Sequence, residues 1–157
     1  MKHLLFDEHC FQILIDNLSF YNEKYKARTV AYVFMRNHIH FIVYFTERNF
    51  LSDYVRDFKK YTSIKIREHI GIGKPDLLEG LTYEHRTQQF KIWHDGFDDV
   101  MLCSKKICET KVAYIHDNPV KASLVDEPVK YRFSSAAFYW NWHLKIDSVL
   151  LHYKDVF

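Results

Sequence analysis

A chain of 157 residues, 48% hydrophobic and 17% aromatic, has the length of one domain and enough apolar mass for a real core. Its 4 Gly and 3 Pro exclude a low-complexity linker or a disordered tail of note. A net charge of +2 and a pI near 8.3 exclude a histone-like polycation, so any case for nucleic acid must come from local clustering.

In chain order, Asp7 to Lys26 reads as a helix, with Phe11, Ile15, Leu18 and Tyr25 close to one face and Leu14 and Tyr21 beside them. Ala27 to Met35 is β-branched and aromatic, a strand. Arg36 and Asn37 form a plausible tight turn, since Asn tolerates positive φ. His38 to Thr46 is then the return strand of a hairpin, apolar on both faces and expected to be buried centrally. Phe50 to Ile70 is a second helix, whose stripe is Leu51, Tyr54, Phe58, Tyr61 and Ile64, so that Tyr61 reads as core. The stretch Gly71 to Asp76, GIGKPD, breaks that helix. Leu77 to Gln89 reads as loop, and Phe90 to Leu102 as a short strand or bulged hairpin. Ser104 is a good N-cap for a third helix, Lys105 to about Asp117, which Pro119 should end. Residues 127–140 add a turn and a short helix. The order helix, strand, strand, helix, strand-like segment, helix is α+β, with a mostly antiparallel sheet and helices packed on it.

Three features carry chemistry. In a strand, alternate side chains share a face, so His38 and His40 point the same way and can share a metal ion. Burial of two imidazoles costs free energy unless each finds a partner. A third ligand would come from His94, Asp95, His116 or Asn118. On the third helix, Cys108, Val112 and Ile115 stack into a core stripe, with Lys111, Tyr114 and Asn118 on the adjoining face. On the second helix, Arg56, Lys60 and Arg67 fall on one face, a stripe able to track phosphates. Lys121, Lys130 and Arg132 add positive charge after Tyr114. Tyr131, Phe133, Phe138, Tyr139 and Trp140 interleave aromatics that could stack on unpaired bases, although most are expected to be core.

The stretch AYVFMRNHIHFIVY resembles the His-hydrophobic-His strand of the single-tyrosine HUH transposases (IS200-like). KVAYIHDNPVKASLV resembles the tyrosine helix of their REP-associated tyrosine transposase branch, and the likeness spans roughly residues 7–140. The resemblance implies a single HUH transposase-like domain over residues 1–157 with a ferredoxin-like antiparallel sheet. It implies metal-dependent nicking and joining of single-stranded DNA at hairpin-forming repeats through a 5′-phosphotyrosine. His38, His40 and Asn118 match the metal ligands and Tyr114 the nucleophile; Mg²⁺ or Mn²⁺ suits this His and amide-oxygen set. Arg36, Arg56, Lys60, Arg67, Lys111 and Lys121 are the expected DNA contacts.

Two departures accompany the match. Only six residues precede Asp7, too few for the strand that opens the family's core, so the expected sheet lacks that strand and a C-terminal or partner-chain strand would fill the gap. Arg36 stands where the family usually has proline. A homodimer is compatible with this, as is a truncated or domesticated hairpin-DNA-binding protein without catalysis; an unrelated HxH metalloprotein is the third reading. The cysteines Cys10, Cys103 and Cys108 are odd in number without a CxxC pair, and read as small buried hydrophobes of a reducing cytosol. With no signal peptide and no apolar run of about 18 residues, the expectation is a soluble, cytoplasmic, nucleoid-associated bacterial protein with no membrane partner.

Overall fold

The structure is a computed structural model, and it describes residues 7–47, 50–73, 82–85, 88–90, 92–93, 95–141 and 150–157. It is an α+β assembly around a β-hairpin, in which β1 (Ala27–Phe34) pairs antiparallel with β2 (Ile39–Phe45). Helices α1 (Glu8–Lys24) and α2 (Leu51–Gly73) pack on one face of the hairpin, and α3 (Lys105–Lys121) packs on the other. A second, small hairpin joins β3 (Thr82–His85) to β4 (Gln88–Phe90). Helix α4 (Ala136–Trp140) and short 3-10 turns at Pro128–Lys130 and Tyr153–Asp155 complete the described elements.

The two faces follow from strand parity. Ile39, Phe41, Val43 and Phe45 of β2 pack with Tyr32 and Phe34 of β1 against α1 and α2. Residues of the opposite parity, Ala31, Val33 and Met35, pack with Ile42 against Cys108, Val112 and Ile115 of α3. The pairing shifts between Thr29 and Ala31, the signature of a β-bulge at Val30, which sends Val30 and Ala31 into the same layer. A buried polar chain ties the helical layer to β1: Asn22 Nδ2 donates to Thr29 Oγ1 (2.9 Å), and Tyr54 OH donates to Asn22 Oδ1 (3.0 Å).

β1, not β2, is the buried strand. Its outer edge receives C-terminal segments: Phe34 N–H donates to Phe133 O (2.9 Å), Ser135 N–H to Tyr32 O (3.0 Å) and Leu151 N–H to Thr29 O (2.9 Å). Among the described residues β2 pairs with β1 alone, so its side chains are half-exposed with Tyr44 outside. The C-terminal chain therefore joins the sheet, as expected, but at the edge away from His40. The expectation of a missing first strand falls on residues 1–6, which lie outside the described residues.

Several sequence expectations need correcting. The α2 core stripe is Tyr54, Phe58, Thr62, Ile66 and Ile70, a strict four-residue repeat; Tyr61 and Ile64 are 44% and 38% exposed. Thr62 takes the inward seat because its hydroxyl bonds to Phe58 O (2.7 Å) and accepts Trp93 Nε1–H (3.0 Å), so its polarity is satisfied. α2 runs past its expected end at Ile70, as far as Gly73, inside the stretch expected to break it. Pro119 does not end α3, which continues to Lys121; the proline sits in the last turns and is buried. Its carbonyl still accepts Leu124 N–H (2.9 Å), while Ala122 N–H closes on Asn118 O (3.0 Å). Part of the expected loop at 77–89 is the β3–β4 hairpin, and residues 95–103 carry no strand. Arg36 and Asn37 do turn the hairpin, closed by Met35 N–H to His38 O (2.9 Å), but neither takes a positive φ. Cys10 and Cys108 are buried; Cys103 is exposed.

Candidate functional site

The hairpin turn and the parity of β2 deliver the two histidines to the α3 face. Their ring centroids lie 4.9 Å apart, with planes at 69°. Both are partly buried, and burial lowers both pKa values from the usual 6.5; for His40 the charges of His38 and Lys111 push the same way. At neutral pH both rings are therefore uncharged, the state in which imidazole ligates a metal. Asn37 Oδ1 lies 2.7 Å from His38 Nδ1. An amide oxygen only accepts, so this contact calls for the His38 proton on Nδ1 and leaves the lone pair on Nε2. Sequence reasoning assigned Asn37 to the turn only; the signal was its position directly before the first histidine.

Helix α3 brings the opposing residues. Ser104 caps it by accepting Ile107 N–H (3.3 Å), and the buried Cys108, Val112 and Ile115 fix its rotation on the sheet. That rotation leaves Tyr114 45% exposed at the boundary, its ring centroid 6.0 Å from that of His40. Lys121 Nζ lies 4.9 Å and Lys111 Nζ 5.7 Å from the Tyr114 ring centroid, so two cations flank the phenol. Asn118, one turn beyond Tyr114, is half-buried and donates Nδ2–H to Tyr114 O (2.9 Å), which leaves its amide oxygen as the ligand-capable atom. Two neutral imidazoles on one strand face, and an amide oxygen on the helix that packs on that face, are donor types that a divalent cation accepts.

The other expected residues divide clearly. Arg36 is exposed at the turn, on the His38 end of the hairpin. His116 points elsewhere: it is buried, its Nε2 lies 2.8 Å from Ser135 Oγ, and burial lowers its pKa to about 4. Asp95 is exposed, and His94 lies outside the described residues. Arg56, Lys60 and Arg67 do share the solvent face of α2, but that helix lies across the sheet from the histidines. Arg56 is moreover paired with Asp53 (2.6 Å) and Asp57 (3.1 Å).

Of the aromatics after α3, Tyr131 OH donates to Phe34 O (2.8 Å), Tyr139 OH donates to Val30 O (3.0 Å), and Phe133 stacks on Phe11 (centroids 4.4 Å apart). They close the fold; Trp140 alone of this group is largely exposed, at 72%. Among the described residues, no helix is long and apolar enough to cross a membrane.

A protein-family model described as transposase IS200-like matches residues 2–118, a span that contains both histidines, Tyr114 and Asn118. No curated protein and no solved structure matches the chain.

Proposed function

The chain belongs to the IS200-like transposase family, and from that premise we propose that it nicks and rejoins single-stranded DNA with Tyr114 as nucleophile. The observation that carries the reading is the meeting of Tyr114 with His40 across the α3–sheet boundary, centroid to centroid 6.0 Å, from residues far apart in the chain. An unrelated HxH metalloprotein does not account for that meeting or for the family match.

In the proposed reaction the scissile phosphate sits between the imidazole pair and the phenol. Tyr114 Oη attacks phosphorus, the phenolic proton leaves to solvent, the P–O3′ bond breaks in line, and the departing 3′ oxygen takes a proton from solvent. The products are a 5′-phosphotyrosine and a free 3′-OH. The energy of the phosphodiester is kept in the new bond, so a later 3′-OH can attack it and join a strand without a nucleotide cofactor. A divalent ion, Mg²⁺ or Mn²⁺, held by His38, His40 and Asn118 would supply charge neutralisation at the phosphate oxygens. Asn37 keeps His38 in the ligating tautomer. Lys111 and Lys121 hold the phosphate against the phenol, and Arg36 takes a neighbouring phosphate on the strand. Arg56, Lys60 and Arg67 would meet DNA only on a path that wraps round to the far side of the sheet. The preferred substrate is hairpin-bearing DNA of the kind cut by the REP-associated branch, met in the bacterial cytoplasm at the nucleoid.

The test is covalent capture. A 3′-labelled pool of hairpin-bearing single strands, incubated with protein and Mn²⁺, should give a denaturant-stable protein–DNA adduct. Tyr114→Phe should give none. An adduct formed by Tyr114→Phe would mean that another residue is the nucleophile.

A further inference from the structure

A second donor cluster lies on the other side of the sheet, where the start of α1 meets the end of α2. Asp7 is the N-cap of α1 and accepts Cys10 N–H (3.1 Å) through Oδ1. His69 Nε2 lies 2.9 Å from Asp7 Oδ2. The Cys10 thiol, one helical turn in from the cap, is fully buried. One carboxylate oxygen, the Cys10 Sγ and one imidazole nitrogen of His69 all lie within 4.8 Å of one another. The His69 ring is held from behind by His9, its centroid 4.3 Å away.

We propose that Asp7, Cys10 and His69 form a zinc site, separate from the Tyr114 site, that pins the N-terminus of α1 to the C-terminal turns of α2. Zinc bonds of about 2.0–2.3 Å in tetrahedral array set ligand atoms roughly 3.3–3.8 Å apart. To reach that spacing the His69–Asp7 pair opens from 2.9 Å, and Cys10 Sγ, within 4.8 Å of both, stays close or moves inward. The chemistry selects the ion: thiolate and imidazole with one carboxylate suit Zn²⁺, whereas Mg²⁺ demands oxygen ligands. On binding, His69 ligates through the Nε2 lone pair with its ring proton on Nδ1, Asp7 Oδ2 ligates as carboxylate, and the Cys10 thiol proton is released to solvent. Asp7 Oδ1 keeps its cap on Cys10 N–H. The fourth position is taken by water.

Cobalt substitution reads this directly, because only a thiolate-bound Co²⁺ gives a sulfur-to-metal charge-transfer band. In a Cys103→Ser background, which removes the exposed thiol, Co²⁺ should bind one per chain with that band, and Zn²⁺ should abolish it. The band should vanish in Cys10→Ser and in His69→Gln, and persist in His38→Ala/His40→Ala. Zn²⁺ should also raise the Tm of the Cys103→Ser/His38→Ala/His40→Ala protein, from which the other donor pair is removed, and leave that of its further Cys10→Ser variant unmoved. Absence of the band in Cys103→Ser, or its survival in Cys10→Ser, would overturn the proposal.

Discussion

Ser135→Ala tests how the hairpin that carries the histidines is held. The Ser135 hydroxyl is 1% exposed and accepts Tyr32 N–H at 2.9 Å, with His116 Nε2 at 2.8 Å. It also reaches Tyr32 O at 3.3 Å. Alanine there leaves two buried polar groups, the Tyr32 N–H and a ring nitrogen of His116, without their partner. Each orphaned group costs about 1–3 kcal/mol, and the two together about 2–4 kcal/mol after local relaxation. For a chain of this length that is a fall in Tm on the order of 5–10 °C. The backbone bonds from Phe34 N–H to Phe133 O and from Ser135 N–H to Tyr32 O remain, so the strand register should survive. Urea unfolding followed by far-UV circular dichroism measures the loss, with the exposed helix-surface substitution Ser19→Ala as a control expected within about 0.5 kcal/mol of wild type. A Ser135→Ala loss no larger than that of Ser19→Ala would refute the idea that this hydroxyl seals the edge of β1.

Three further expectations follow from the geometry. Tyr114→Phe should abolish the covalent adduct while leaving the urea midpoint unchanged, because the side chain is 45% exposed and its hydroxyl closes no buried network; a matching loss of stability would make the phenotype structural. Lys111→Gln or Lys121→Gln should each lower the slope of log K against log salt for single-stranded DNA by about 0.7, with Arg56→Gln changing it less because Asp53 and Asp57 already neutralise Arg56. Equal slopes for Arg56→Gln and Lys121→Gln would place the strand on α2 instead. Asp57 accepts Lys24 Nζ (2.6 Å), the Tyr25 hydroxyl and Arg56 Nε (3.1 Å), and these bonds hold its carboxyl well below the usual carboxylate range. A depressed folded-state pKa gives stability that is present above the unfolded pKa of about 4 and is lost as pH falls below it. The Tm gap between wild type and Asp57→Asn should therefore narrow on acidification from that value downward; a constant gap would show that the ion pair is not the cause.

The sequence carried the hairpin, the helix with Tyr114, and the matched face of His38 and His40, because each rests on a short-range period that burial enforces. Lys111, Tyr114 and Asn118 share one side of α3 for the same reason: Cys108, Val112 and Ile115 leave the helix a single way to lie. Errors arose where tertiary partners override local preference. Thr62 took a core seat from Tyr61 because Phe58 O and the Trp93 indole satisfy its hydroxyl. Pro119 stayed helical because packing on a buried surface outweighs one lost backbone bond near the helix end. β2 looked central from its apolar run, yet half-exposed Ile and Phe fill it. What decides centrality is which strand has a neighbour on each edge, and that depends on residues a hundred positions away.

Those distant residues separate the chemistry from its support. The family match ends at residue 118, and every candidate for nucleophile or metal ligand falls inside it. Among the described residues, the groups that close the outer edge of β1 all fall beyond it: Phe133, Ser135, Tyr139 and Leu151 each bond to a backbone group of that strand. An uncovered strand edge is costly to leave bare, because its N–H and C=O groups remain open to other chains. β1 in turn holds β2 in register, and with it the distance between His40 and Tyr114. The C-terminal segment should therefore be necessary for the nicking geometry while contributing no reacting atom. Substitutions within it, Ser135→Ala included, should act on the temperature at which adduct formation fails and leave the pattern of DNA sites cut unchanged.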